Sequence, residues 1–357
     1  MTVFEAVKKQ VVSAPRTWLI TGVAGFIGSN LLELLLQWGQ QVVGLDNFST
    51  GSPRNLEDVR GRVGEAGWKR FTSLEGDIGD FSTCAKACAG VEYVLHHAAL
   101  GSVPRSIDDP LGAHRANVDG FVNMMAAARE AKVARFVYAS SSSVYGDHPG
   151  LPKVEAELGK PLSPYAVTKV VDELYADIFS RAYDLQSVGL RYFNVFGRRQ
   201  DPEGPYAAVI PIWVSNMLRG KPCVIYGDGT TSRDFCYIDN VLQANLLAAT
   251  TDDPQALNTV YNIALGDRTS LIDLYTMIRG RLLPYRPDLK GAQPRWGPFR
   301  PGDIMHSQAD IAKARRLLDY APSHSVAQGL DDAIQWYAAT LTPTHPSPLE
   351  GEGEGGG

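Results

Sequence analysis

Three closely spaced glycines near the N-terminus constrain the fold of this chain most strongly. Gly22, Gly25 and Gly28 directly follow the apolar run 17–21 and open a second apolar stretch. The first glycine permits a sharp turn, the second lets the backbone approach a diphosphate, and the third lets a helix lie close to a sheet. An ordinary strand-to-helix turn needs only one glycine, so the pattern predicts a dinucleotide-binding loop.

Strand-like and helix-like patterns alternate from this loop to about residue 193. Short apolar and β-branched runs predict strands, and longer amphipathic runs predict helices. The predicted strands are 17–21, 41–45, 70–74, 91–96, 135–139 and 187–192, and the predicted helices are 26–38, 81–89, 115–131 and 165–183. This alternation predicts an α/β fold with a Rossmann-like, doubly wound parallel sheet and helices on both faces.

The pattern changes after Asn194, where several prolines and a Gly-Asp-Gly turn at 227–229 interrupt it. We therefore expect a smaller α/β C-terminal substrate lobe. The last residues are rich in proline, glycine and glutamate, which is typical of disorder. The expected division is an N-terminal helix or arm (1–15), a Rossmann domain (16–193, with 234–262 returning to it), a substrate lobe (194–233 and 263–341) and a disordered tail (342–357).

Composition argues against several classes of partner. A formal net charge of -5 leaves no basic excess for a phosphate backbone, so no nucleic acid is expected. Apolar runs such as 31–36 are far too short to span a membrane, and the N-terminus lacks a signal-peptide core, so we expect a cytoplasmic protein. The four cysteines form no CxxC pair and no zinc-ligand spacing, which predicts free thiols and no metal.

Asp46, at the end of the second predicted strand, bears on the choice of cofactor. Its carboxylate can accept hydrogen bonds from the adenosine ribose hydroxyls and would repel a 2'-phosphate. The sequence therefore favours NAD over NADP. Other expected cofactor contacts, from the start of the first helix and from the ends of the second, third and fourth strands, are Phe26, Ile27, Asn47, Asp77, Ile78, Ala98 and Ala99. Tyr165 and Lys169, in a later predicted helix, complete the expected cofactor contacts.

Tyr165 and Lys169 are four residues apart in the predicted helix 165–183, so their side chains share one helix face. A free tyrosine is protonated at neutral pH, but the Lys169 ammonium and the nicotinamide of NAD would both favour its anion. Four serines, 140–143, follow the strand 135–139 at the edge of the sheet where ligands bind in such folds. One of them can hydrogen-bond a reacting hydroxyl, and these residues alone leave open which one.

Together these segments resemble the extended short-chain dehydrogenase/reductase family, and within it the NAD-dependent sugar-nucleotide epimerases, especially the bacterial UDP-N-acetylglucosamine 4-epimerase group. The matching motifs are TGVAGFIGSN, HHAALGSVPRS, SSSSVYGD, SPYAVTK, RYFNVFGRRQ, TSRDFCYIDN and PGDIMHSQADI. The resemblance implies transient oxidation at C4 of a UDP-sugar, turning of the 4-ketose, and return of the hydride by tightly bound NAD. It also implies Ser141 as the catalytic serine, Tyr165 as the base, Lys169 as its electrostatic partner, and a homodimer formed through the helices 115–131 and 165–183.

The resemblance also bears on the reaction and on the sugar. Ser142 and Ser143 stand where the resembled dehydratases or decarboxylases carry carboxyl groups, and dehydration needs a general acid, so epimerisation is favoured. Ser307 stands where epimerases restricted to non-acetylated sugars carry a tyrosine, which leaves room for an acetamido group. The implied substrate contacts around the sugar are Gly101, Ser142, Ser143, Gln200, Ala208 and Ser307. Arg233 and Arg300 are implied at the diphosphate, and Asn194 at either the diphosphate or the sugar.

The expected reaction is interconversion of UDP-GlcNAc and UDP-GalNAc. The alternative is the same reaction on the C6-oxidised sugars UDP-GlcNAcA and UDP-GalNAcA, whose carboxylate would need a cation such as Arg105. Activity on UDP-glucose and UDP-galactose should be weaker, because room for a large group does not reject a small hydroxyl. Two other classes are a non-catalytic NAD-binding protein, which could lose Tyr165 or Lys169 at little cost, and a net sugar reductase, which would release NADH.

Overall fold

The computed structural model of the protein describes residues 2–204, 206–299 and 304–341. Its strands range from two to seven residues, and the longer ones come early in the chain. In chain order the strands are β1 (Thr17–Thr21), β2 (Gln41–Asp46), β3 (Phe71–Glu75), β4 (Tyr93–His96), β5 (Arg135–Ser141), β6 (Ser187–Tyr192), β7 (Val195–Phe196), β8 (Val224–Tyr226), β9 (Ser232–Arg233), β10 (Cys236–Tyr237), β11 (Thr259–Ile263), β12 (Thr269–Ser270) and β13 (Arg295–Gly297).

Seven of these strands form one parallel sheet in the order β11-β6-β5-β4-β1-β2-β3. The sheet confirms the predicted doubly wound α/β fold. The chain builds outward from β1 towards β3 and then continues on the other side of β1 with β4, so the strand order reverses between β1 and β4. A crevice opens beyond the carboxyl ends of the strands at such a reversal, and ligands bind there in folds of this kind.

Helices cover both faces of the sheet. The helices are α1 (Val3–Ser13), α2 (Phe26–Gln37), α3 (Pro53–Trp68), α4 (Phe81–Cys88), α5 (Val103–Asp108), α6 (Pro110–His114), α7 (Gly120–Glu130), α8 (Pro164–Tyr183), α9 (Val209–Leu218), α10 (Ile238–Thr250), α11 (Leu271–Leu282), α12 (Ala312–Leu318) and α13 (Val326–Leu341). None of the helices in the described ranges is long and apolar enough to cross a membrane.

Alternation along the central strands divides the buried side chains between two clusters. On β1, Trp18 and Ile20 pack into the larger cluster, whereas Leu19 packs into the smaller one. Successive side chains of a strand point to opposite faces of a sheet, so the two clusters lie on opposite faces. The central strands β1, β4, β5 and β6 are therefore buried on both sides, which is why they form nearly continuous apolar runs in the sequence.

Several helical regions differ from the sequence prediction, and α5 and α6, for example, lie where no helix was predicted. The single helix predicted at 115–131 is instead a turn of π-helix, Arg115–Asp119, that continues into α7. Helix α3, which the sequence analysis did not identify, contains a glycine at position 64 with φ +67°, so its turns do not follow one helical period. Only Leu56, Val59 and Gly67 of α3 are buried, which leaves little amphipathic pattern to detect.

After β6 the chain leaves the sheet and later returns to it. Helix α10 packs on β5 and β6, and β11 pairs with β6 at the edge of the sheet. Helices α9, α11 and α13 pack against one another, and the short strands pair as β7 with β10, β8 with β13, and β9 with β12. The division into domains stays a prediction, and the tail predicted at 342–357 lies outside the described residues.

Candidate active site

The phosphate loop has the backbone geometry that its glycines predict. Gly22 has φ +69°, and a Cβ atom there would lie 2.8 Å from the backbone nitrogen of Ala98. A Cβ atom on Gly28 would lie 2.1 Å from the carbonyl oxygen of Gly22. Gly25 occupies the N-terminal cap position of α2 and brings no side chain to it. The loop therefore presents backbone alone, and the first N–H groups of α2 face a position suited to an anion.

A cleft of about 490 Å³ lies beyond the carboxyl ends of β1 to β4. Eight of the predicted cofactor residues line it: Gly22, Gly25, Asp46, Asn47, Asp77, Ile78, Ala98 and Ala99. The wall does not include Phe26, Ile27 and Gly28, which form the first turn of α2, or Tyr165 and Lys169, which lie on α8. Hereafter we call this space the cofactor cleft.

Two carboxylates fix the polar end of the cofactor cleft. The Oδ2 atom of Asp46 accepts the N–H of Ala24 at 2.8 Å, and its Oδ1 atom accepts the N–H of Phe48 at 2.8 Å. The Asn47 side chain donates to Asp77 Oδ2 at 2.8 Å. Each carboxylate oxygen has a second lone pair, so Asp46 can still accept hydrogen bonds from ribose hydroxyls. The glycine cradle and this acidic end fit NAD, whose diphosphate would lie at Gly22 and Gly25 and whose ribose would lie at Asp46.

The catalytic set predicted from the sequence lies on β5 and α8. Ser141 ends β5, and its hydroxyl oxygen accepts the N–H of Ser143 at 3.1 Å. Tyr165 is in the first turn of α8, and its own N–H donates to Ser106 Oγ at 3.0 Å. Lys169 lies one turn further along and is buried. Its ammonium donates to the carbonyl oxygen of Ala139, also on β5, at 3.0 Å.

The electrostatics keep Lys169 positively charged. Burial lowers the pKa of Lys169, but the carboxylate of Asp172 and the side chain of Tyr165 oppose this effect, and the pKa ends above its ordinary value. His97 lines the cofactor cleft. The pKa of His97 is lowered to about 4, chiefly by burial and also by the charge of Lys169, while a hydrogen bond to Asn245 opposes the shift. Lys169 is therefore within electrostatic reach of both Tyr165 and the cofactor cleft.

A second cleft, of about 640 Å³, lies between α5 and the elements that follow β6. We call it the substrate cleft. Of the predicted substrate residues, Asn194 and Arg233 line it. The Asn194 side chain donates to the carbonyl oxygen of Asp234 at 3.2 Å, and the Arg233 guanidinium donates to the carbonyl oxygen of Ser232 at 3.0 Å. Backbone carbonyls thus orient both side chains at the wall of the substrate cleft.

The other predicted substrate residues lie beside the substrate cleft or away from its wall. Gly101 precedes the lining residue Ser102, and Ala208 lies between the lining residues Ala207 and Val209. The wall does not include Ser142 and Ser143, which form a 3-10 turn after β5, or Gln200, whose amide donates to the Val195 carbonyl. It does not include Ser307 either, whose N–H donates to Ser232 beside Arg233. Arg300 lies outside the described residues.

Helix α5 joins the substrate cleft to the start of α8, a connection that the sequence did not indicate. The buried hydroxyl of Ser106 accepts the N–H of Tyr165. Two other residues of α5 contact Tyr206. Asp108 accepts a hydrogen bond of 2.7 Å from the Tyr206 hydroxyl, and the guanidinium of Arg105 lies 5.1 Å from the centre of the Tyr206 ring. Tyr206 lines the substrate cleft, so α5 links its wall to the backbone of Tyr165.

The fold and the glycine cradle define a dinucleotide-binding protein of the Rossmann class. A model of the NAD dependent epimerase/dehydratase family matches residues 18–264. The chain belongs to this family, and its cofactor is NAD.

Several relatives are similar over nearly the whole chain. A UDP-glucose 4-epimerase from Mycolicibacterium smegmatis is 36% identical over 321 residues, which cover 89% of this chain and 97% of the relative. The structure of a UDP-N-acetylglucosamine 4-epimerase from Methanobrevibacter ruminantium M1, in complex with UDP-N-acetylmuramic acid, is 35% identical with a TM-score of 0.82, and covers 91% of this chain and 99% of that one.

A UDP-glucuronic acid 4-epimerase from Bacillus cereus, in complex with UDP-glucuronic acid and NAD, is similar over the same share of the chain. It is 32% identical with a TM-score of 0.78, and the match covers 91% of this chain and 99% of that one. These three relatives share 4-epimerisation of a UDP-sugar in their names and differ in the sugar, so the family is established while the sugar is not.

Proposed function

We propose that this protein is a UDP-sugar 4-epimerase that interconverts UDP-GlcNAc and UDP-GalNAc. The observation that carries the proposal is the buried Lys169 ammonium, which Ala139 of β5 and Asp172 hold one helical turn from Tyr165. Helix α5, which contacts Tyr165, contributes Pro104 to the substrate cleft, and Ser102 just before the helix also lines it. The similarity to three UDP-sugar 4-epimerases supports this chemistry.

The roles of the residues follow from their charges and hydrogen bonds. When bound, NAD supplies a hydride acceptor for C4 of the sugar and returns the hydride to that carbon. Tyr165, as the phenolate that the Lys169 ammonium stabilises, takes the proton of the C4 hydroxyl and becomes a phenol, and it gives that proton back to the C4 oxygen when the hydride returns. Ser141 already accepts the N–H of Ser143, so its own proton is available to hydrogen-bond the C4 oxygen.

The turn that follows β5 supports epimerisation over elimination of water. Dehydration needs a general acid to protonate the departing hydroxyl, and Ser142 and Ser143 offer no carboxyl group there. The hydroxyl of Ser143 is buried without a hydrogen-bond partner among the described residues, so it is not held by a neighbouring acid. Epimerisation requires no such acid, since the same carbon loses and regains its hydrogen.

The C2 substituent is the basis for choosing UDP-GlcNAc. Ser307 lies beside β9, because its N–H donates to the Ser232 carbonyl oxygen at 3.1 Å. Ser232 precedes Arg233, which lines the substrate cleft. A small side chain there leaves room for an acetamido group. The likeness to a UDP-N-acetylglucosamine 4-epimerase structure supports the same choice.

Replacing Ser307 by tyrosine should therefore change the preferred sugar. We expect Ser307→Tyr to lower kcat/KM for UDP-GlcNAc by about 5- to 150-fold, the equivalent of roughly 1–3 kcal/mol of overpacking. Activity on UDP-glucose should be retained, because a hydroxyl at C2 needs less space. The kcat/KM values for UDP-GlcNAc and for UDP-glucose are measured on the same preparation. The control is Ser13→Tyr, at an exposed position in α1. Equal losses on both sugars would contradict the proposed steric role.

One assay separates the possible substrates. Purified protein is incubated without added NAD with UDP-GlcNAc, UDP-glucose or UDP-GlcNAcA, and the products are separated. We expect conversion of UDP-GlcNAc to be fastest, with no accumulation of free NADH. Much faster conversion of UDP-GlcNAcA would overturn this choice in favour of the C6-oxidised sugars, and NADH release would indicate a net reductase. Arg105, at the edge of the substrate cleft beside Tyr206, is the cation that the C6-oxidised sugars would use.

We also propose a homodimer formed through α7 and α8. Three apolar side chains on α8 lie outside both buried clusters: Val167 is 48% exposed, Leu174 61% and Ile178 46%. Their spacing places them on one face of the helix. Contiguous exposed apolar surface of this kind often marks a protein interface. The helix therefore offers its outer face to a second copy of the chain.

The dimer proposal predicts that Leu174→Glu yields a monomer. A carboxylate at the centre of an apolar interface is desolvated without a partner, which strongly disfavours association. Light scattering coupled to gel filtration should show a dimer for the wild type and half that mass for the variant. Asp177→Ala, on the same helix, is the control for a change of an exposed side chain. A monomeric wild type at micromolar concentration would contradict the proposal.

A further inference from the structure

An acidic side chain is buried directly beside the lysine of the catalytic set. Asp172 lies on α8 one turn after Lys169, and its Oδ2 atom is 3.0 Å from the Lys169 ammonium. The two side chains are only 1% and 4% exposed, respectively. The other oxygen of Asp172, Oδ1, is buried and has no hydrogen-bond partner within the described ranges. The carboxylate therefore interacts strongly with Lys169 and is poorly satisfied elsewhere.

Such an arrangement is not explained by stability alone. Desolvating two charges costs free energy that their attraction often fails to recover, so a buried ion pair is weak evidence of a stabilising role. An unsatisfied carboxylate oxygen adds to the cost. Burial raises the pKa of Asp172 to about 6, although the Lys169 charge opposes this shift, so the carboxylate is ionised at neutral and alkaline pH. These observations indicate a role in the chemistry that Lys169 supports.

The ion pair also fixes the direction of the ammonium. A lysine ammonium has three N–H donors. One donates to the Ala139 carbonyl and one to Asp172, both at 3.0 Å. The third donor remains for Tyr165 or for the cofactor. With two anchors on a buried side chain, the position of this third donor is set by β5 and by Asp172.

Asp172 is the acidic group that contacts Lys169 directly, whereas the other ionisable groups around the pair are either compensated or neutral. Glu173, on the same helix, is paired with Arg191 of β6 at 2.7 Å. Burial lowers the pKa of His96 and His97, and it raises the pKa of Tyr138, so these three rings are uncharged. The groups that face the pair are Tyr165 and Glu173 on α8, His96 at the end of β4, His97 directly after it, and Tyr138 on β5. Arg191 on β6 faces Glu173.

We propose that Asp172 is a positioning residue that keeps Lys169 protonated and directed towards Tyr165. The inference rests on the proposed roles of Tyr165 and Lys169, and it adds a third member to their set. A buried lysine without an anion loses its proton at a pH lower by up to several units. Asp172 prevents this loss at the place where the base requires a positive neighbour.

The charge of Asp172 is tested by the pH dependence of kcat. Asp172→Asn keeps the size of the side chain and removes its charge, so Lys169 should lose its proton more readily. We expect the fall of kcat at alkaline pH to begin at least about one pH unit lower than in the wild type. The amount of bound NAD and the KM measured near neutral pH should stay close to those of the wild type. Asp172→Glu, which retains the charge, should restore most of the alkaline activity.

The chain offers a matched control on the same helix. Asp177 also forms an ion pair, with Arg181, but both side chains are more than half exposed. Asp177→Asn should leave the pH profile unchanged, because an exposed pair is screened by solvent. Thermal unfolding and NAD content show whether each variant is folded. If Asp172→Asn does not fold, Asp172→Ser, whose smaller side chain admits a water molecule, is measured instead and should show the same alkaline shift.

The outcomes distinguish this inference from the proposed function. The profile is measured with whichever UDP-sugar the wild type converts fastest, so a wrong choice of sugar does not affect it. An unchanged alkaline limb in the folded variants would overturn the role of Asp172, and so would a loss of activity that is equal at every pH. Persistence of activity in Tyr165→Phe would instead overturn the proposed chemistry itself.

Discussion

Tyr165→Phe is expected to lower the rate of epimerisation by about 100- to 10,000-fold, the range that a positioned acid or base contributes. The change removes the phenolic oxygen that would take the C4 proton. It leaves the ring and the backbone N–H that donates to Ser106, so the fold should be retained. The NAD released by denaturation and the rate of product formation are measured on the same preparation. NAD content should equal that of the wild type.

A second tyrosine on α8 provides the control. Tyr183 is exposed, and the guanidinium of Arg129 lies 4.5 Å from the centre of its ring. Tyr183→Phe removes the same oxygen far from the clefts and should have the activity of the wild type. If Tyr165→Phe retained more than about a tenth of the activity, the assignment of Tyr165 as the base would be wrong.

Gly28→Ala should have the second large effect, on cofactor binding and on stability. The added methyl group would lie 2.1 Å from the Gly22 carbonyl oxygen and 2.8 Å from its carbonyl carbon. Both atoms belong to the backbone, so α2 has to move away from the phosphate loop. We expect the free energy of unfolding to fall by about 1–3 kcal/mol, and we expect the purified variant to contain little or no bound NAD. Urea unfolding and NAD content test both expectations.

Gly61→Ala is the matched control for this substitution. Gly61 lies within α3, and a Cβ atom there would have no neighbour within 4 Å. Alanine is the better helix former, so this variant should be as stable as the wild type or more stable by up to about 1 kcal/mol. A Gly28→Ala protein that purifies with the normal amount of NAD would show that close packing of α2 on the loop is not required.

The centre of the sheet could be predicted from the sequence because β1, β4, β5 and β6 are buried on both faces and so form nearly continuous apolar runs. Six of the seven strands were predicted close to their observed positions, and β11 was not predicted. Helix α3 was missed because it buries only three residues and has a glycine with positive φ inside it. The π-helical turn at Arg115–Asp119 was missed because one extra residue in a turn barely changes the apolar pattern.

At the candidate site too, the sequence indicated only the residues that belong to a local pattern. Gly22, Asp46, Tyr165 and Lys169 belong to local motifs, so spacing alone indicated them. The contact between Ser106 and Tyr165 joins residues 59 positions apart, and no local pattern reports it. Asp172 could have been noted from its spacing to Lys169, but pairs with this spacing usually lie on the exposed face of a helix. Only the burial of both side chains distinguishes this pair from an ordinary surface one.

The late return of β11 to the sheet has a consequence for biosynthesis. While the ribosome makes the chain, β6 is complete long before its edge partner β11, because α9, α10 and the short strands between them come first. During that interval the edge of β6 is open, and an open edge is a template for pairing with other chains. Nascent or truncated chains that end before β11 are therefore expected to need chaperones and to aggregate, even though they contain the glycine loop and the tyrosine-lysine pair.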